Sequence, residues 1–306
     1  MKLMQMLSLL SILIFSLVSV AFITLLERKI LGYMQIRMGP NKVGMSGILQ
    51  PFSDAIKLYS KEMNWPFQSN SIPFFISPCL SLSISLIMTL LMPYLKPLIN
   101  MKLALLMFLS ILGLGVYPIL ISGWSSNSNY SLIGSMRALA QTISYEVSLV
   151  FIILSTMFLS SSLSFYSVIT TQKLFMFFFF LIPFYLWMFS SVAELNRTPF
   201  DFAEGESELV SGFNTEYSSS SFAIIFMAEY LMILLFSMYT SVFFFNSNCN
   251  ILSMPKFMML MMFYIWIRAT LPRYRYDKLM NISWKFILPV ATFNLFISIF
   301  LTIYSK

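Results

Sequence analysis

Residues 222–245 read FAIIFMAEYLMILLFSMYTSVFFF, an unbroken apolar run with one charged residue, Glu229. At about 1.5 Å per residue, a helix of this length extends roughly 36 Å, more than the ~30 Å hydrocarbon core of a bilayer. Lipid offers no partners to backbone N–H and C=O groups, so a run of this kind spans a membrane as a helix. The stretch therefore predicts a transmembrane helix.

The rest of the chain repeats this pattern. Of the 306 residues, 58% are hydrophobic and 10% are charged, whereas a soluble domain carries roughly 25% charged residues. We expect an all-α integral membrane protein, a single polytopic domain over 1–306 with about eight transmembrane helices and one interfacial helix. The predicted spans are 3–26, 72–95, 103–121, 138–159, 174–193, 222–245, 257–271 and 286–304.

Two features leave the span count and boundaries open. The segment 257–271 is short unless Ile251 to Lys256 extends it, so seven spans remain an alternative to eight. Prolines in the second and third spans predict kinks there, at Pro73, Pro78, Pro93 and Pro118.

The positive charges predict the orientation. With eight spans, the loops 27–71, 122–137, 194–221 and 268–285 share one side and carry thirteen of the nineteen Lys and Arg residues. Cytoplasmic or matrix loops are enriched in these residues, so this side is predicted to be inside and both termini to face outward. The net charge of +7 is thus membrane-flanking charge, and no nucleic-acid partner is expected.

The composition argues against several cofactors. The chain has no histidine, and its two cysteines, Cys79 and Cys249, are far apart. A haem with histidine ligands is excluded, and an iron–sulfur cluster takes four ligands. Gly113 and Gly115 lie inside a span without the third glycine of a dinucleotide-binding loop. We expect no metal, haem, flavin or NADH to be bound by this chain, so electrons would arrive through partner subunits.

The first inside loop predicts an amphipathic helix. Pro51 suits a first helical turn, and apolar residues recur at spacings of three and four, whereas polar residues fill the other face: Leu49, Phe52, Ile56, Tyr59 and Met63 against Ser53, Asp54, Lys57 and Lys61. Such a helix lies in the membrane interface. It is either a surface anchor or the roof of a crevice that admits an amphiphilic molecule from the lipid.

Residues 194–216 hold half of the chain's twelve acids, namely Glu194, Asp201, Glu204, Glu206, Glu208 and Glu216. Thr198-Pro199-Phe200-Asp201 resembles a helix start, with Thr198 as the N-cap and Gly212 as a later stop. Interleaved phenylalanines disfavour a freely solvated loop. We expect carboxylates beside a low-dielectric cavity, where their protonation becomes switchable; a solvated loop is the alternative.

Two acids lie inside predicted spans, Glu146 in the fourth and Glu229 in the sixth. A carboxylate at that depth costs at least ~2.5 kcal/mol, so it faces the interior and is a functional candidate. Arg137 and Gln141, a turn apart at the head of the fourth span, are candidates to bond inner carboxylates. The alternative is a neutral acid hydrogen-bonded for packing. The basic, aromatic stretch Arg273–Lys278 is expected either to anchor the chain at the interface or to contact an acidic partner subunit.

Three blocks of this sequence resemble the subunit 1 family of mitochondrial NADH:ubiquinone oxidoreductase, respiratory complex I. They are ERKILGYMQ at 27–35 with Arg37 and Gly39-Pro40-Asn41, AQTISYEV at 140–147, and Glu194 with the run from Asn196 to Asn214. Residues 124–130 and 273–279 are similar too, and the resemblance covers essentially the whole chain.

The resemblance implies a multi-pass subunit of the mitochondrial inner membrane, with its termini toward the intermembrane space, at the junction of the membrane and hydrophilic arms. Its implied partners are other complex I subunits, ubiquinone as substrate, and membrane lipids. It implies a quinone tunnel with candidates Glu27, Arg28, Arg37, Phe52 and Phe226. It also implies a proton relay with candidates Glu194, Asp201, Glu204, Glu206, Glu208, Glu146 and Glu229.

The expected function is therefore to accommodate quinone and to couple its reduction to proton translocation, as one subunit of an enzyme and not alone. The alternatives are a stand-alone secondary transporter or ion channel, the related membrane subunit of a proton-pumping hydrogenase, and a purely structural anchor.

Overall fold

The computed structural model describes residues 2–94, 101–171, 181–203, 205, 211–245 and 253–304. These residues form helices, turns and connecting loops, with no β-strand among them. The prediction of an all-α protein is confirmed.

Twelve α-helices, numbered in chain order, account for most of these residues. They are α1 (Lys2–Met34), α2 (Gln50–Ser60), α3 (Ser71–Leu90), α4 (Ala104–Leu114), α5 (Val116–Ser125), α6 (Asn129–Ser160), α7 (Phe165–Thr171), α8 (Leu181–Glu194), α9 (Ser219–Phe244), α10 (Met254–Thr270), α11 (Tyr276–Ile282) and α12 (Leu288–Tyr304). A π-helical segment, Ser283–Ile287, joins the last two. Short 3-10 turns occur at Met45–Gly47 and Gly212–Asn214.

Within the described ranges, six helical segments are long and apolar enough to cross a membrane: Met6–Met34, Ser71–Leu90, Ala104–Ser125, Asn129–Ser160, Ser219–Phe244 and Tyr276–Tyr304. They match six of the predicted spans. The predicted fifth span, 174–193, falls partly outside the described residues and is represented by α8. The predicted seventh corresponds to α10, which has 17 residues. The count of eight spans stays a prediction.

The prolines of the second and third spans have different effects. The third span is interrupted between α4 and α5 at Gly115, three residues before Pro118. A proline ring clashes with the carbonyl four residues earlier, here that of Leu114, so the first helix ends there. Pro78 instead lies inside the continuous helix α3. The helix is thus interrupted in the third span, whereas α3 continues through Pro78.

The core is built around α9. The Tyr239 and Phe108 ring centroids lie 4.3 Å apart, and those of Trp187 and Phe243 lie 5.2 Å apart. The Tyr239 hydroxyl donates a hydrogen bond to the Met88 carbonyl over 2.9 Å. These aromatic rings, contributed by α4, α8 and α9, are fully buried, and Tyr239 also anchors α9 to α3.

The predicted inside loops meet at one end of the helices. The Asn70 N–H donates to the Ser125 carbonyl over 2.9 Å, the Asn64 N–H to the Ser218 hydroxyl over 3.2 Å, and the Tyr274 N–H to the Pro199 carbonyl over 3.0 Å. These bonds link the loop 27–71 to both 122–137 and 194–221, and the loop 194–221 to 268–285, so all four loops are connected at the end where the functional candidates lie.

Candidate functional site

The start of the acidic loop is not a helix. Residues 195–203 form turns, with Asn196 at φ 49°, so the prediction of a helix start at Thr198 was wrong for these residues. A tertiary contact overrides the helix-start pattern of the local sequence. The Thr198 hydroxyl donates a hydrogen bond to the Arg268 carbonyl (3.4 Å) instead of capping a helix. The peptide bond before Pro199 is cis.

Gln141 on α6 holds this turn region from the membrane side. Its side-chain amide donates to the carbonyls of Ala193 and Phe200, at 2.8 and 2.9 Å. The expectation that Gln141 bonds an inner carboxylate was therefore wrong. Two backbone acceptors on either side of the turn compete for its donors, and they are buried groups that must be satisfied.

The last predicted inside loop, 268–285, contacts the same turn region. The Arg273 guanidinium lies 3.2 Å from the Asp201 carboxylate, and the Tyr274 ring stacks on Phe200 with centroids 5.6 Å apart. For Arg273, the acidic partner expected from another subunit is thus a residue of this chain. Arg275 is exposed and pairs with its neighbour Asp277 at 3.1 Å.

Glu27, on α1 just after the predicted first span, is 4% exposed. Its carboxylate oxygen Oε1 accepts a hydrogen bond from Arg268 and lies 3.6 Å from Nη1 of Arg197. Two guanidiniums therefore neutralise one buried carboxylate, which is the arrangement that makes such burial tolerable.

Arg197 also reaches the sixth span. Its Nη2 lies 3.9 Å from Oε2 of Glu229, and its guanidinium carbon lies 4.7 Å from the centroid of the Tyr230 ring. Burial lowers the pKa of Arg197, but the carboxylates of Glu27 and Glu229 outweigh this, and the net shift is upward. The guanidinium stays charged between its two carboxylates.

These residues face a cavity of about 120 Å³ between α3, α4, α5, α6 and α9. Its wall contains Glu194, Asp201 and Glu229 together with Arg197 and Arg268; the remaining wall is largely apolar, with residues such as Ile111, Leu112 and Met232. A small neighbouring cavity of about 10 Å³ is lined by Glu27, again with Arg197 and Arg268. The structure thus brings three of the predicted relay acids to one cavity.

Glu194 lines the cavity, and the carboxylate of Glu146 on α6 lies near enough to influence it. One oxygen of each carboxylate, Oε2 of Glu194 and Oε1 of Glu146, is buried without a hydrogen-bond partner among the described residues. Glu194 follows the predicted fifth span. Burial, and to a lesser degree the Glu146 carboxylate, raise the pKa of Glu194 to about 8. Glu194 can therefore change protonation near neutral pH.

The amphipathic helix is confirmed as α2, and it is tied to the first span at two points. Arg28 forms an ion pair with Asp54 at 2.6 Å, and the Phe22 and Phe52 rings meet edge to face at 6.0 Å. The apolar side chains Ile56 and Tyr59 are exposed on its surface.

The other described candidates are not among the residues that line the large cavity. Phe226 is half-buried on α9, with its ring 4.3 Å from Phe222, whereas Arg37 is exposed after the end of α1. Glu204, Glu206 and Glu208 lie outside the described residues. Arg28 pairs with Asp54 and is separate from the Glu27 cluster.

Sequence reasoning missed Arg197 and Arg268 as site residues. Arg197 is the single base within the acidic stretch 194–216, and this was the available signal. Arg268 ends a predicted span, where a basic residue is ordinary, so nothing in the local pattern distinguishes it.

The chain is similar to known proteins over nearly its whole length. The sequence model of a family described as NADH dehydrogenase matches residues 7–299. The chain is 56% identical to NADH-ubiquinone oxidoreductase chain 1 of Aedes aegypti over 281 residues, covering 91% of this chain and 90% of that protein. It is 49% identical to the protein of the same name from Locusta migratoria, covering 98% and 96%. For that from Balaenoptera physalus the identity is 47%, covering 94% and 93%.

Proposed function

Because the chain belongs to the NADH dehydrogenase family and is a membrane subunit of NADH-ubiquinone oxidoreductase in the mitochondrial inner membrane, we propose that it forms the quinone tunnel of that enzyme and couples quinone reduction to proton translocation. The observation that carries this proposal is the cavity of about 120 Å³ walled by Glu194, Asp201 and Glu229. Carboxylates from a loop and from a span meet there beside apolar residues.

The chemistry of the wall suits proton transfer linked to quinone. Reduction of a quinone to a quinol takes up protons and electrons in equal number, so the protein must supply protons close to the lipid-soluble acceptor. Carboxylates in a low-dielectric cavity change charge when a nearby charge changes. In the proposed relay, protons pass between Glu194, which lines the cavity, and Glu146 on α6. Glu204, Glu206 and Glu208 are proposed to extend this relay.

The mouth of the tunnel is proposed to lie between α1, α2 and α9. Phe52 and Phe226 provide aromatic surface, whereas Arg28 and Arg37 provide charge at the interface. An isoprenoid tail is apolar, so the exposed apolar side of α2 suits its passage from the lipid. In this scheme the inside loops face the matrix, the hydrophilic-arm subunits dock on that side, and both termini face the intermembrane space.

Crosslinking with a photoreactive quinone analogue in the native assembly tests the tunnel. We expect labelled peptides from 27–60 or 194–230, with labelling reduced by an excess of unmodified quinone. Labelling of this chain only outside those ranges would overturn the tunnel assignment.

The relay is tested separately with Glu146→Gln and Glu229→Gln in the assembled enzyme. Each change removes an exchangeable carboxyl proton and preserves the shape of the side chain. We expect impaired proton pumping or coupled turnover in inner-membrane vesicles. Full retention of both by the two variants would count against the relay.

A further inference from the structure

We infer that Arg197 is a positioning residue whose guanidinium bridges Glu27 of the first span and Glu229 of the sixth span, and so links the two ends of the proposed site. The inference rests on the proposed function and adds to it a residue that was in neither the tunnel nor the relay set. In the proposed scheme, Glu27 belongs to the tunnel and Glu229 to the relay.

The first observation is the sharing of one guanidinium between two carboxylates. Nη1 lies 3.6 Å from Glu27 and Nη2 lies 3.9 Å from Glu229, so both contacts are ion pairs slightly longer than hydrogen bonds. Nη2 is buried and has no hydrogen-bond partner among the described residues. Arg197 is therefore held by charge from two directions and is not locked by hydrogen bonds to either carboxylate.

The second observation is the unequal fixing of the two carboxylates. Arg268 donates a hydrogen bond to Glu27, so Glu27 remains neutralised when Arg197 moves. The Tyr230 ring lies 4.7 Å from the guanidinium carbon and attracts Arg197 independently of the two carboxylates. Loss of the negative charge on Glu229 would leave Glu27 as the stronger attraction, and Arg197 would move toward it.

The position of Arg197 also connects the start of the acidic loop with both cavities. It lies in the turn region that follows α8, between Glu194 and Asp201, and it lines both the large and the small cavity. A shift of its side chain changes the wall that these two cavities share. A change of charge at Glu229 is thereby transmitted to Glu27 and to the start of the acidic loop.

A thermodynamic cycle in the assembled oxidoreductase tests the bridge. Glu27→Gln and Glu229→Gln are made singly and together, and the NADH:quinone rate is normalised to NADH oxidation by a hydrophilic artificial acceptor, which counts assembled enzyme. With Arg197 present, we expect the double variant to differ from the product of the two single effects by about fivefold or more, because residues that share a partner are not additive.

The same cycle is repeated with Arg197→Lys, and with Arg197→Met as a second background. Lysine keeps the charge but lacks the planar fork that reaches two acceptors. We expect the two glutamate effects to multiply within about twofold in the lysine background. A merely structural cation would be replaced by lysine without loss of the coupling. The exposed Arg275→Gln serves as the control background and should leave the coupling unchanged.

Multiplicative effects with Arg197 present, or a coupling equally strong in the lysine background, would overturn the inference. If Arg197→Met does not assemble, the lysine cycle alone decides. Failure of the bridge is distinguishable from failure of the proposed function, because quinone labelling of 27–60 or 194–230 is measured on the unmodified enzyme. If these ranges are labelled but the effects of Glu27→Gln and Glu229→Gln multiply, the bridge alone is overturned. If these ranges are not labelled, the tunnel is overturned.

Discussion

The guanidinium of Arg273 lies 3.2 Å from the carboxylate of Asp201, across 72 positions of sequence. This ion pair fastens the last inside loop to the acidic loop. The backbone bond from Tyr274 to Pro199 and the stacked rings of Tyr274 and Phe200 reinforce it. Arg273 of this basic loop therefore pairs within its own chain with Asp201, a residue that lines the cavity.

Arg273→Gln tests the importance of this ion pair. It removes a charge-assisted hydrogen bond to a carboxylate that is 8% exposed, an interaction whose loss costs about 1–3 kcal/mol. We expect a lower NADH:quinone rate per assembled enzyme and faster thermal inactivation in membranes. The matched control is Arg275→Gln, whose pair with Asp277 is exposed on both sides and should cost less than about 1 kcal/mol. Equal effects of the two variants would contradict a specific role of the Arg273–Asp201 ion pair in holding the two loops together.

The raised pKa of Glu194 predicts an alkaline limb in the pH profile. An ordinary glutamate has a pKa of about 4.3, whereas Glu194 reaches about 8 and is protonated below that value. Its stabilising contribution is present at low pH and is lost as the pH rises through about 8. Activity that needs the protonated form should fall over the same range, measured as the NADH:quinone rate against pH.

Glu146→Gln should move that limb to lower pH. The negative charge of Glu146 is the second cause of the raised pKa of Glu194, after burial, so its removal lowers that pKa and the limb moves with it. Glu194→Gln should abolish the limb. The exposed Glu62→Gln serves as the control and should leave it in place. An unchanged limb in Glu194→Gln would assign it to another group.

Gly134→Ala tests the packing behind the acidic loop. A Cβ atom at Gly134 would lie 2.9 Å from the Cα of Gly212, a backbone atom that cannot move aside without shifting the turn. We expect a loss of roughly 1–3 kcal/mol, typical of overpacking, seen as a lower temperature of inactivation. For Gly113→Ala, Glu146 Oε2 at 3.9 Å is the one atom of the described residues that the added methyl group would meet, so little loss is expected in this helical control. Comparable losses would show that the close backbone approach is unimportant.

Phe52→Ala tests the proposed tunnel mouth. The change removes the ring that meets Phe22 at 6.0 Å and shortens the apolar face of α2. If this face guides quinone, the KM for quinone should rise severalfold while kcat changes little, because uniform binding is lost and not the chemical step. Ile72→Ala, an exposed apolar residue at the start of α3, provides the comparison. A fall in kcat at constant KM would argue against a mouth at this position.

Much of the architecture could be predicted from the sequence alone. Apolar runs such as 222–245 specify their own helices, because each backbone group in lipid must be satisfied within its own segment. The spacing of Phe52, Ile56 and Tyr59 likewise specified α2. The positions at which helices are interrupted could not be predicted as well. Pro78 is accommodated within α3, whereas Pro118 follows the break at Gly115, and the surrounding packing decides between these outcomes.

The sequence by itself determined the membrane character, the helical segments and the residue types available for proton chemistry. Only the tertiary structure decided which charges meet. Glu27 is paired with Arg268 across 241 positions, and Gln141 bonds two carbonyls instead of a carboxylate. The reason is physical: helix formation in lipid is satisfied within one segment, whereas buried ions and turn carbonyls must find partners wherever the folded chain brings them.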